Sequence, residues 1–160
     1  MKKPILIISF ICIIFAICGI FTYKREFMSE IPYSTPKTKI EYNGKNISSK
    51  SGDENWINRF GGNTSIAGYS YDIGKNSTVL NCLPNSYITI SFSSSPKKIR
   101  VLKWVDREKK PDVYQEVDGV KSHAILLPNE EGEYIFEIIG YWDNDHYTSN
   151  ILNILIEKNS

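Results

Sequence analysis

The stretch Tyr87-Ile88-Thr89-Ile90-Ser91-Phe92 alternates without a break. Ile88, Ile90 and Phe92 fall on one face of an extended chain, and Tyr87, Thr89 and Ser91 fall on the other. That is the period-two pattern of a strand with one buried face and one polar face. Segments of the same kind recur on both sides. Upstream, residues 78–83 read as a strand ended by Pro84-Asn85, and Ile40-Glu41-Tyr42 runs into the hairpin signal Asn43-Gly44. Downstream, Ser93-Ser94-Ser95-Pro96 turns the chain into a strand at 99–105. A weaker strand at 112–117 ends in the turn signal Asp118-Gly119, and residues 122–127 form a strand stopped by Pro128. The longest strand is predicted at 133–142, with Tyr134, Phe136 and Ile138 on one face. Residues 151–157 close the chain with Leu152, Ile154 and Ile156 on one face. Residues 45–77 read as irregular, with isolated aromatics between glycines. About seven short antiparallel strands, with turns every eight to twelve residues, predict an all-β sandwich.

The N-terminus has another character. After Lys2 and Lys3, residues 4–23 are an almost unbroken apolar run. About 20 residues at roughly 1.5 Å each span a hydrocarbon core of about 30 Å. The run exceeds the core of a cleaved signal peptide, and Ile17-Cys18-Gly19 is small only at its last position, so an uncleaved signal anchor is predicted. The expected organisation is a cytoplasmic tail at 1–3, a transmembrane anchor at 4–23 in contact with membrane lipid, a stalk at 24–38 and an extracellular domain at 39–160. The expected location is the cell membrane, single-pass; cleavage would instead give a secreted domain.

The chain of 160 residues carries formal charge +1. Beyond Arg25, 15 basic residues face 18 acidic ones, a net of −3. No basic face of the kind that binds nucleic acid is present. Lys97, Lys98, Arg100 and Lys103 form the densest basic cluster and read as a solvated strand face balanced by acids. Cys82 is the one cysteine beyond the apolar run, so no disulfide can form within the domain. Its strand setting predicts a buried, inert thiol.

Glu130-Glu131-Gly132-Glu133-Tyr134-Ile135-Phe136 resembles the signature of the sixth strand in immunoglobulin-type sandwiches. The resemblance implies that Tyr134 is a tyrosine corner and that Phe136 stands at the cysteine position. It also implies that Trp104 is the buried tryptophan of the third strand, with apolar packing in place of the disulfide. The expected fold is therefore an immunoglobulin-like β-sandwich preceded by one transmembrane helix. More specifically, Asn43-Gly44-Lys45, Gly52, Trp56, Ile88-Thr89-Ile90, residues 99–104, Leu127-Pro128, Gly132-Glu133-Tyr134 and Trp142 resemble a family of small exported, membrane-anchored domains of Bacillus-like Gram-positive bacteria. Cysteines flanking the first tryptophan in that family are replaced here by Glu54-Asn55. The resemblance implies no catalytic residue.

Trp56, Phe60, Tyr69 and Tyr71 lie in the irregular segment and are candidates for a sugar- or peptide-binding platform, with cover for one end of the sandwich as the alternative. Asp143-Asn144-Asp145-His146 could gather carboxylates and an imidazole, but these are also turn residues, and their spacing matches no calcium loop. No metal or cofactor is expected. His123 has no nucleophile or acid placed beside it by sequence. The functional expectation is an extracellular binding or sensing module without catalytic activity, with an unknown ligand or membrane-protein partner. An accessory subunit of a membrane complex is the alternative, and a hydrolase using the Asp143–His146 loop a remote one.

Overall fold

The computed structural model describes residues 13–20, 31–58 and 61–158. The chain divides into two units, Met1–Pro32 and Tyr33–Ser160. In the first, residues 13–20 form a helix (α1). Among the described residues no helix is long and apolar enough to cross a membrane. Most of the span expected at 4–23, and Phe60, lie outside the described residues.

The second unit is all-β with antiparallel sheets and one short helix. Its strands are β1 (Thr38–Tyr42), β2 (Lys45–Asn46), β3 (Lys50–Asn58), β4 (Gly61–Ser65), β5 (Val79–Cys82), β6 (Tyr87–Phe92), β7 (Lys98–Trp104), β8 (Asp112–Asp118), β9 (Ser122–Leu126), β10 (Gly132–Tyr141) and β11 (His146–Ile156), with α2 (Ser70–Lys75) between β4 and β5. One sheet has the order β2-β1-β6-β9. The other runs β4-β3-β11-β10-β7-β8, and β5 lies parallel to the end of β11 beyond β3.

The hairpin predicted at Asn43-Gly44 forms: both residues have positive φ (49° and 73°), the two-residue turn whose twist suits a tight hairpin. On β6 the predicted alternation holds, with Ile88, Ile90 and Phe92 buried. These face Ile99 and Val101 of β7, Phe136 and Ile138 of β10, and Leu152, Ile154 and Ile156 of β11 across the interior. Phe92 meets Trp142 edge-on at 5.5 Å between ring centroids. The Tyr134 hydroxyl donates to the Glu130 carbonyl (3.1 Å).

β10 is buried on both faces: Ile135, Glu137 and Ile139 point away from the interior and are covered as well. Over Ile135 the cover is α2, whose Gly74 sits so close that a Cβ there would lie 2.4 Å from Ile135 Cγ2, and over Glu137 it is Trp104. A strand covered on both faces reads as a continuous apolar run, which explains Ile135-Phe136 and Ile138-Ile139.

The structure corrects three expectations. Residues 45–77 are not irregular; they hold β3, β4 and α2. Their polar composition hid the strands, because Trp56 is the only side chain of β3 that carries a large apolar surface into the core. Trp104 is not the buried core tryptophan. Strand alternation sends Ile99 and Val101 inward and leaves Trp104 half-buried on the opposite face; Trp56 and Trp142 occupy the core instead. Residues 33–38, read as stalk, belong to the folded unit: Pro36 is buried, Thr35 Oγ1 donates to Glu54 Oε1 (2.9 Å), and Thr38 opens β1.

Candidate functional site

The four aromatic candidates do not gather into one platform. Trp56 is 2% exposed, set edge-on to Trp142 (5.0 Å) and to the His146 ring (5.2 Å). It is a core residue and offers no ring to a ligand. Tyr71 is half-buried on α2. Tyr69, just ahead of α2, is 57% exposed.

Tyr69 is brought instead to Trp104, edge-on at 6.5 Å. The sheet fixes this tryptophan from below: its Nε1 donates to Glu137 Oε2 (3.0 Å), and Ser149 Oγ donates to Glu137 Oε1 (2.7 Å). Glu137 is 6% exposed, and these two donors supply its buried carboxylate with charge-assisted bonds. From the other side, the Arg107 guanidinium lies over the Tyr69 ring at 5.6 Å, and Arg107 Nε pairs with Asp72 Oδ2 of α2 (3.1 Å). The loop carrying Arg107 is held by Asp106, whose Oδ1 accepts the backbone N–H groups of Glu108 (2.9 Å) and Lys109 (2.8 Å). The Lys109 side chain, with those backbone bonds, keeps the Asp106 carboxyl below its ordinary pKa.

The result is a fixed series across one face: Ser149, Glu137, Trp104, Tyr69, Arg107 and Asp72. α2 is anchored next to it by Gly74 on Ile135 and by an ion pair of Lys75 with Glu133. That pair raises Lys75, chiefly through the hydrogen bond to Glu133, and the same bond, with Asn153, lowers Glu133. The cations round the face are matched by acids: Arg107 with Asp72, Lys109 with Asp106, Lys75 with Glu133. Sequence reasoning singled out Tyr69 and missed Arg107, Asp72 and Glu137. The register of β7 with β10, which sets Trp104 opposite Ile135, accounts for Glu137; Arg107, in the loop after β7, and Asp72, on α2, carried no signal of their own.

The Asp143–His146 loop is built differently. Asp143 Oδ1 accepts the backbone N–H groups of Asp145 (2.8 Å) and His146 (2.7 Å) and faces His146 Nδ1 at 2.8 Å, while His146 Nε2 faces the Ile57 carbonyl at 2.7 Å. Burial pushes the Asp143 carboxyl up, but the bonds from the His146 ring and the two N–H groups outweigh it and hold the group below its ordinary value. Both ring nitrogens are engaged, so the remote alternative of a hydrolase on this loop finds no free imidazole nitrogen here. His123 faces Gln115 Oε1 at 3.2 Å. Within the basic cluster, Lys98 and Arg100 share Glu116, and Lys103 lies over the Tyr114 ring at 6.0 Å. Among the described residues no group of three or more His, Cys, Asp or Glu side chains is placed to hold a metal ion.

No known family model matches the chain, and no curated protein matches it. Among solved structures it is similar to a lytic polysaccharide monooxygenase (LPMO) from Kitasatospora papulosa, at 7% identity and TM-score 0.41, over 53% of this chain and 54% of that one. It is also similar to a lytic polysaccharide monooxygenase from Jonesia denitrificans, at 12% identity and TM-score 0.39, over 51% and 60%. The chain thus spans little more than half the length of either. Both of these structures are of enzymes, contrary to the expectation of a binding or sensing module without catalytic activity, which is withdrawn. At these scores nothing about reaction, metal or substrate is carried over.

Proposed function

We propose that this domain is carbohydrate-active and takes an uncharged polysaccharide chain across the Tyr69–Trp104–Arg107 face. The observation that carries the reading is an exposed tyrosine ring fixed against a tryptophan and flanked by a guanidinium–carboxylate pair. A rigid ring covers the apolar face of a sugar at low entropic cost. Arg107 supplies donors and Asp72 acceptors, and sugar hydroxyls both donate and accept. Because the neighbouring cations are paired with acids, the face has no surplus positive charge with which to select an acidic chain.

The strand orders β1-β6-β9 and β8-β7-β10-β11, with β5 parallel to β11, support the immunoglobulin-like assignment, β3, β4 and α2 being an insertion ahead of β5. The apolar run 4–23 supports export and retention at a membrane.

The test is incubation of the full chain with insoluble neutral and acidic polysaccharides, reading protein retained and soluble saccharide released. Retention on a neutral polymer, lowered about tenfold by Tyr69→Ala, is expected from the loss of one aromatic contact. Retention by no polysaccharide, or retention indifferent to Tyr69→Ala, overturns the reading.

A further inference from the structure

We propose that His146 is a pH-dependent latch that holds the β3–β4 hairpin closed while its ring carries two protons. The warrant is the chemistry of its two partners. The Ile57 carbonyl can only accept a hydrogen bond, and an ionised Asp143 carboxylate can only accept as well. The ring meets the first through Nε2 at 2.7 Å and the second through Nδ1 at 2.8 Å. A neutral imidazole has one N–H, so both bonds exist together only in the imidazolium form.

The acidic side chains of the neighbouring β3 are bonded elsewhere. On β3, Glu54 Oε1 accepts from Thr35 Oγ1 and Asn63 Nδ2, and Asp53 Oδ1 accepts the Ala67 N–H. Asp145, on the same loop as Asp143, is exposed and engages β3 through its backbone carbonyl, which accepts from Asn55 Nδ2 (2.6 Å). Asp143 is therefore the carboxylate bonded to the ring. It keeps the proton on Nδ1, so the proton that leaves at higher pH is the one on Nε2. The Nε2 lone pair then faces the Ile57 oxygen across 2.7 Å, and that contact turns from attraction to repulsion.

The consequence is local. Up to Trp56, β3 stays held by the buried Trp56–Trp142 contact and by the Asn55–Asp145 bond. Beyond it, Ile57 is exposed, and β4 is an edge strand, exposed along its whole length, that among the described residues pairs with β3 alone. Deprotonation frees this outer part and leaves the core in place.

Amide hydrogen exchange of the full chain, expressed as protection factors between about pH 5 and 9, tests the latch together with histidine ¹⁵N shifts. We expect His146 to pass from two protonated nitrogens to one, and the Gly61–Ser65 amides to lose about tenfold in protection over the same interval, the worth of one hydrogen bond to a charged group. His146→Gln, which can still donate to Ile57 but cannot titrate, should abolish that step. The proposal is overturned if His146 titrates with hairpin protection unchanged, if the ring is already neutral at pH 5 with both contacts in place, or if the step survives in His146→Gln. Should His146→Gln fail to fold, the wild-type shifts and protection factors alone decide.

Discussion

Cys82 shows how burial sets the chemistry of one side chain. Its thiol is 4% exposed, and desolvation pushes its pKa from 9.0 to about 11, with the Tyr42 hydroxyl offsetting part of the rise. The folded chain keeps this proton in a range where the unfolded chain has lost it. The associated stability is fully present below about pH 9 and is lost as the pH climbs toward 11. Equilibrium denaturation across that window should therefore slope downward more steeply in the wild type than in Cys82→Ala. Burial also raises Tyr114, Tyr134 and Tyr141, so the difference between the two proteins is the informative quantity. A thiol reagent at pH 8 should leave Cys82 unmodified until the protein unfolds. Fast labelling of Cys82 itself in the folded chain, read by peptide mapping so that Cys12 and Cys18 are scored apart, would contradict the burial.

At the level of elements, α2 is the piece on which the candidate face depends. It has six residues, too few to be stable alone, and its position comes from Gly74 lying against Ile135. Gly74→Val drives a branched side chain into that contact. Overpacking of this kind costs about 1–3 kcal/mol, read as a lower midpoint in denaturant. Because α2 carries Asp72 and directly follows Tyr69, the same substitution should reduce polysaccharide retention as far as Tyr69→Ala does. An unchanged midpoint would mean that α2 is not seated as described.

The elements that sequence alone revealed are those whose two faces differ. β6, β10 and the last half of β11 alternate or run apolar, and their positions agree with the predicted ones to within a residue or two at most ends. β11 begins five residues earlier than predicted, because its first half, His146-Tyr147-Thr148-Ser149-Asn150, is polar and pairs with the equally polar β3. β3 and β4 escaped for the same reason: long-range pairing fixes them, and their own side chains carry no periodicity. The aromatic site was half legible. Tyr69 stood out as a ring in a glycine-rich segment. Its partners Trp104 and Arg107 come from another part of the chain, β7 and the loop after it, and only the fold brings them to Tyr69 and the nearby Asp72.

Taken as a whole molecule, the domain sets one exposed ring, one half-buried indole and one ion pair on the face opposite its main core. The indole N–H of Trp104, tied to Glu137, sits at the centre of that face and gives a resolved NMR reporter. The most direct measurement is a chemical-shift map of the full chain titrated with soluble neutral oligosaccharides. The account predicts saturable shifts at the Trp104 indole N–H and at the amides of Tyr69, Asp72 and Arg107, with Tyr87 and Leu126 on the far sheet unmoved. Saturable shifts clustered on the far sheet, or none on any oligosaccharide, would contradict it.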